Sequence, residues 1–77
     1  MSDTVRFEIG KRIKVLRKWR SKSQKQLCVQ LECSQAYLSD LERGNLPCPI
    51  ATLIKICDIL NVDLQYFDIR KPPVMPV

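Results

Sequence analysis

The feature that most restricts the fold is the stretch at residues 24–44, QKQLCVQLECSQAYLSDLERG. Leu27 and Leu31, then Leu38 and Leu41, recur at the three- and four-residue spacing that puts side chains on one face of a helix. Ser34 stands where a second helix would begin and can accept a backbone N–H as its N-cap. Gly44 stands just past its end, at the position that favours a left-handed residue. Glu32 and Cys33 are left to make the turn. The stretch therefore reads as two short helices, 24–31 and 35–43, joined by a tight turn. Neither is long enough to be stable alone, so the rest of the chain must hold them.

The chain ahead of this pair supplies an amphipathic first helix, from about residue 5 to residue 20, with Thr4 as a possible N-cap. Ile9, Ile13 and Leu16 form its apolar stripe. Phe7 and Trp19 are expected to pack at its two ends, and Gly10 weakens it slightly. Ser23 is placed to cap the second helix. Beyond Gly44, Pro47 and Pro49 keep any helix from crossing the loop at 45–49. A fourth helix, 50–60, buries Leu53, Ile56, Cys57 and Leu60, with Ile50 and Ile54 extending the stripe. Asn61 tolerates a left-handed C-terminal position. Asp63 caps a short fifth helix, 64–67, and Val62, Leu64 and Phe67 close the core. Three of the five prolines follow in 68–77, which is expected to be an extended tail. No segment shows a convincing period-2 strand pattern. The expected fold is all-α: a compact five-helix bundle at 5–67 and a Pro-rich tail at 68–77.

Charge narrows the possible partners. The chain of 77 residues carries a formal charge of +5, and residues 1–22 hold eight basic side chains against two acidic ones. Arg6, Lys11, Arg12, Lys14, Arg17, Lys18, Arg20 and Lys22 make either a solvated helix face or a phosphate-facing surface. No apolar run reaches the roughly 18 residues of a membrane span, and no export signal stands at the start, so a cytoplasmic location is expected. The four cysteines, Cys28, Cys33, Cys48 and Cys57, include no C-x-x-C pair, and the chain has no histidine. Metal ligation is disfavoured, and the thiols read as small buried hydrophobes. Cys48, in a loop, is the one that exposure would make redox-reactive. Without a histidine, a nucleophile–base pair or a carboxylate pair, an enzyme is not expected, and no cofactor is implied.

The runs IGKRIKVLRK, SQKQL, SQAYLSDLERG and TLIKICDILNVDLQYF together resemble the lambda-repressor/Cro-like helix-turn-helix family. The resemblance covers residues 9–67. Its most diagnostic part is Ser34, Leu38, Ser39, Leu41, Glu42 and Gly44, with Gln24 ten residues before Ser34. It implies that the third helix lies in the DNA major groove with its N-terminal half toward base edges. Gln35 becomes the first base-reading position, suited to adenine N6 and N7. Gln35, Ala36, Ser39, Asp40 and Arg43 share one face by helical geometry. Ala36 can offer a methyl to thymine, and Asp40 can accept from a cytosine amino group.

The same resemblance assigns phosphate contacts to Gln24, Lys25, Tyr37, Arg43 and Asn45, with Gln24 also bracing the first reading residue. Tyr37 has a second reading, as cover over the junction of the third and fourth helices. Arg43 has one as a charge complementing the helix dipole. Arg17 and Glu42 match a family ion pair that ties the first helix to the third. The chain departs from the pattern at Glu32, where glycine is usual; a left-handed residue there costs roughly 1–2 kcal/mol. Cys28 replaces the usual alanine. Lys22 stands where an apolar residue is common, and Trp19 is expected to cover the gap.

The function expected on these grounds is sequence-specific binding of double-stranded DNA as a small, repressor-like transcriptional regulator. One helix reads only about four or five base pairs, so a homodimer on two half-sites follows. The family places its contact in the fifth helix and tail. No small-molecule effector is evident. The alternative is a protein-interaction or antitoxin-like module of the same fold, with weak or secondary DNA binding.

Overall fold

The computed structural model describes residues 3–75. Four α-helices follow one another: α1 (Asp3–Trp19), α2 (Gln24–Gln30), α3 (Gln35–Arg43) and α4 (Ile50–Leu60). A single 3₁₀ turn, Leu64–Phe67, comes after them. No strand occurs among the described residues. The fifth element is thus a four-residue 3₁₀ helix, started by Asp63, whose carboxylate accepts from the Gln65 N–H.

All four α-helices end the same way. Ser21, Glu32, Gly44 and Asn61 each adopt a left-handed conformation, with φ of 58°, 57°, 77° and 53°. In each case the N–H of the following residue reaches back to the carbonyl five positions earlier. Lys22 donates to the Arg17 carbonyl at 3.0 Å, Cys33 to Cys28 at 2.9 Å, Asn45 to Asp40 at 2.9 Å and Val62 to Cys57 at 3.0 Å. This closure satisfies carbonyls that a helix end would otherwise orphan. Gly44 is the one glycine among the four positions; Ser21 and Glu32 adopt the conformation without that freedom.

The core gathers Ile13 and Leu16 of α1, Leu27 of α2, Leu38 and Leu41 of α3, and Ile56 and Leu60 of α4, all essentially without exposed surface. The periodic leucines of α2 and α3 point inward because each helix is apolar on one face only. Gly10 is more than a weak spot in α1. A Cβ there would lie 2.3 Å from the Leu41 carbonyl oxygen and 2.7 Å from that of Glu42. Its bare backbone is what lets α1 and α3 lie against each other.

Several expectations give way to the packing. The first helix begins at Asp3, so Thr4 lies inside it rather than capping it. Phe7 and Trp19 remain largely exposed, although one edge of the Phe7 ring lies against Gly44. Ile50 and Ile54 do not extend the buried stripe of α4; Ile50 is 62% exposed. They lie to one side of the Leu53–Cys57–Leu60 face. Leu64 also points outward, and Tyr66 takes its place in the core, edge-on to Phe67 at 5.0 Å. Cys48 is buried despite its place in a loop, as the reading of the thiols as small buried hydrophobes has it.

The basic cluster of α1 is divided. Arg12 is 5% exposed. Its Nη1 donates to the Tyr66 and Asp68 carbonyls, each at 2.9 Å, and its Nη2 to Lys71 at 2.7 Å. Arg20 donates to the carbonyls of Leu60 and Asn61, closing the end of α4. These arginines hold the fold, while Lys11, Lys14 and Lys18 stay in solvent. The segment after Phe67 is tied down as far as Lys71 by Arg12. Further on, Met75 packs on the core and its sulfur accepts from the Tyr66 hydroxyl. The stretch 68–75 is non-helical but is not a loose tail.

Candidate nucleic-acid interface

The α2–α3 pair is built from local caps outward. Ser23 accepts from the Gln26 N–H at 3.0 Å, and the Gln26 side chain accepts from the Ser23 N–H at 2.8 Å, a reciprocal capping box. Ser34 accepts from the Tyr37 N–H at 3.0 Å and fixes where α3 starts. Leu38, Leu41 and Glu42 of α3 are buried. Gln35, Ala36 and Arg43 are exposed, with Ser39 and Asp40 half-buried between them. The five residues whose spacing put them on one face therefore line the outward side of α3.

The angle of that helix is set from beneath. Arg17 Nε donates to Glu42 Oε2 at 2.7 Å, and Nη2 donates to Oε1 at 3.0 Å. The third arginine nitrogen donates to the Lys22 carbonyl at 2.8 Å. Gln24 Nε2 adds a bond to Glu42 Oε1 at 3.0 Å. Glu42 is thus held by the first helix and by the start of the second at once. Gln24 braces Glu42, not Gln35.

The outer face carries its own bonds. Arg43 donates to the Ser39 hydroxyl from Nε at 3.2 Å and from Nη2 at 2.6 Å. Asn45 Nδ2 donates to Asp40 Oδ1 at 3.3 Å. The Gln35 amide has no intramolecular partner among the described residues. Lys25 is exposed in the first turn of α2. Tyr37 is half-buried and packs against the core. The face offers an amide, a hydroxyl, a carboxylate and a guanidinium in one row, which is hydrogen-bonding chemistry and not a catalytic constellation.

No thiol lies in this row. Burial raises the Cys48 thiol to about 11, with Cys57 adding to the effect. Burial likewise raises Cys33 and Cys57. Raised thiols are poor nucleophiles near neutral pH. Among the described residues no three His, Cys, Asp or Glu side chains converge as metal ligands. No helix there is long and apolar enough to cross a membrane.

Sequence reasoning missed four of these contacts. The capping box was visible as S-x-x-Q at Ser23. The Arg43–Ser39 bond follows i,i+4 spacing on a helix. The Gln24–Glu42 bond and the Asn45–Asp40 bond had no such signal.

Comparison with known proteins agrees with this construction. The profile of the helix-turn-helix domain family matches residues 8–66. The HTH-type transcriptional regulator RamB of Mycobacterium tuberculosis is 36% identical over 59 residues, covering 77% of this chain. The match spans 12% of that relative's length. Among solved structures, the clp gene regulator ClgR from C. glutamicum superposes with a TM-score of 0.79 at 25% identity, over 84% of each chain. The restriction-modification controller protein C.AhdI from Aeromonas hydrophila gives 0.74 at 21% identity, over 79% of this chain and 92% of its own. The second likeness bears on the fold alone. A profile match over most of the chain, with the Gln24, Ser34, Glu42 and Gly44 positions built as described, places this protein in the helix-turn-helix domain family of the lambda-repressor/Cro type.

Proposed function

We propose that this protein is a cytoplasmic, sequence-specific DNA-binding regulator of transcription, acting as a homodimer with α3 in the major groove. One observation carries the proposal: the outward row on α3 is polar while the opposite face is locked by the buried Arg17–Glu42–Gln24 network. A groove-reading helix must hold one angle, because base-edge hydrogen bonds tolerate little displacement. The names of the relatives, as transcriptional and gene regulators, point the same way.

In this reading Gln35, whose amide has no competing partner, pairs with adenine, and Asp40 accepts from cytosine. Ala36 lies against a thymine methyl, and Ser39 contacts the base between. Gln24, Lys25, Tyr37, Arg43 and Asn45 meet phosphates along the two sides. Arg43 keeps Nη1 for this, since its other two nitrogens are on Ser39. The dimer forms through the 3₁₀ turn and the segment behind it, where Leu64 and Val74 are exposed.

Selection of bound duplexes from a random pool tests the proposal. A recurring pair of half-sites is the expected result. Their centre-to-centre spacing reports the dimer, roughly 10 base pairs or a multiple. Binding should weaken steeply with salt, in proportion to the phosphates contacted. Recovery of no preferred sequence, with affinity no better than for random duplex, would leave the protein-interaction alternative in its place.

A further inference from the structure

We infer that Arg43 is a positioning residue for base recognition: it makes Ser39 a hydrogen-bond donor only, so that α3 rejects cytosine at the base facing Ser39. The inference rests on α3 being the base-reading helix, as proposed above.

A serine hydroxyl carries two lone pairs and one O–H. In isolation it reads any base, since it can donate to an acceptor or accept from an amino group. Here both acceptor sites are engaged. Arg43 Nε and Nη2 converge on the same oxygen, at 3.2 and 2.6 Å. The two residues stand four apart on the outward face, where side chains meet across one helical turn. What remains is the O–H, turned away from a cationic group.

In the major groove guanine presents N7 and O6, adenine presents N7, and thymine presents O4, all acceptors. Cytosine alone presents only an amino donor. A donor-only hydroxyl can therefore bond to three bases and not to the fourth. The next residue, Asp40, has the opposite character. Its carboxylate only accepts, and Asn45 holds it at Oδ1. Adjacent residues of opposite polarity give the row a sense, so that neighbouring base steps are not interchangeable.

The experiment uses the full chain and a duplex carrying the selected half-sites. All four bases are placed in turn at each position. The base facing Ser39 is found as the position whose preference flattens in Ser39→Ala. Wild type should bind the cytosine duplex there about tenfold more weakly than the best base. Arg43→Met removes the guanidinium. Arg43→Lys keeps the charge but has a single donor point, leaving Ser39 a lone pair. Both should reduce the cytosine penalty to about twofold or less, with the preference facing Gln35 unchanged. Loss of the Arg43 phosphate contact should lower affinity alike for all four duplexes, so the cytosine penalty is read in each variant as a ratio between duplexes, which separates polarity from charge.

A cytosine penalty undiminished in both variants would overturn the inference. So would a wild-type preference for cytosine at that position. If Ser39→Ala flattens no position while other positions stay selective, Ser39 reads no base: the inference fails and the proposed function stands. If no duplex is selected at all, both fail. Both residues lie on the outer face, and thermal melts of each variant confirm that the fold is retained.

Discussion

Arg17 and Glu42 meet as a two-pronged buried pair, Nε on Oε2 at 2.7 Å and Nη2 on Oε1 at 3.0 Å, with side chains 8% and 2% exposed. They stand 25 residues apart, on α1 and α3. A bidentate guanidinium–carboxylate pair has one geometry, so it fixes the roll of α3 as well as its distance from α1. The Gln24 amide and the Lys22 carbonyl complete the set of partners.

Removing one partner leaves the other charge buried without its mate. Glu42→Leu alone should destabilise the protein by about 3–5 kcal/mol. A chain of this size has a total stability of roughly 4–12 kcal/mol, so the variant sits near its unfolding threshold. The double variant Arg17→Met with Glu42→Leu should lose less than Glu42→Leu alone, because no orphaned charge remains. Urea unfolding of the three proteins measures this. A single-variant loss below about 1 kcal/mol would show that the pair is solvated and not a lock.

Gly10→Ala should be among the most damaging single-methyl changes in the chain. The added carbon meets backbone oxygens at 2.3 and 2.7 Å, which cannot rotate away as a side chain can. Although alanine favours a helix by nearly 1 kcal/mol over glycine, overpacking of about 3 kcal/mol outweighs it. A thermal melt showing a gain in Tm would refute the close approach of α1 and α3.

Glu32→Gly should stabilise. Glu32 is exposed, has φ of 57°, and holds the turn between α2 and α3. Glycine removes a left-handed cost of roughly 1–2 kcal/mol, partly offset by its greater freedom when unfolded. The net expectation is a gain of about 0.5–1 kcal/mol, or a few degrees in Tm. Ser21→Gly, with φ of 58°, should act in the same direction. A loss of stability in both would mean that the helix ends differ from the left-handed closure described.

Alkaline pH should weaken the fold through Cys48. Burial raises its thiol to about 11 from an ordinary 9.0. Between those values the native chain keeps a proton that the unfolded chain releases. The contribution is therefore complete below about pH 9 and declines as pH rises toward 11. Denaturant melts at pH 8, 9.5 and 10.5 on wild type and Cys48→Ala check this, the pH values being chosen at roughly even steps across the interval. The variant starts less stable because of its cavity, but its stability should fall less across the series. Parallel slopes would place Cys48 in solvent.

The caps and helix bounds of α2 and α3 depend on residues within six positions of one another, such as Ser34 with Tyr37 and Asp40 with Asn45. Such interactions are written into the local order of residues, and so the helix pair, its turn and its outward row were legible in the chain itself. The resemblance at Arg17 and Glu42 pointed to a contact that spacing alone does not show. What only the tertiary structure decided involves partners far apart. Arg12 looked like one more surface cation, yet its nearest acceptors lie 54 to 59 residues away. Gly10 looked like a helix weakness, yet α3 makes its missing side chain a requirement. Ile50 and Leu64 looked like core, yet both stay exposed while Leu53 and Tyr66 are buried. Periodicity specifies which side of a helix is apolar; the shape of the space across from it determines which of those residues are admitted, and that shape exists only once every helix is in place.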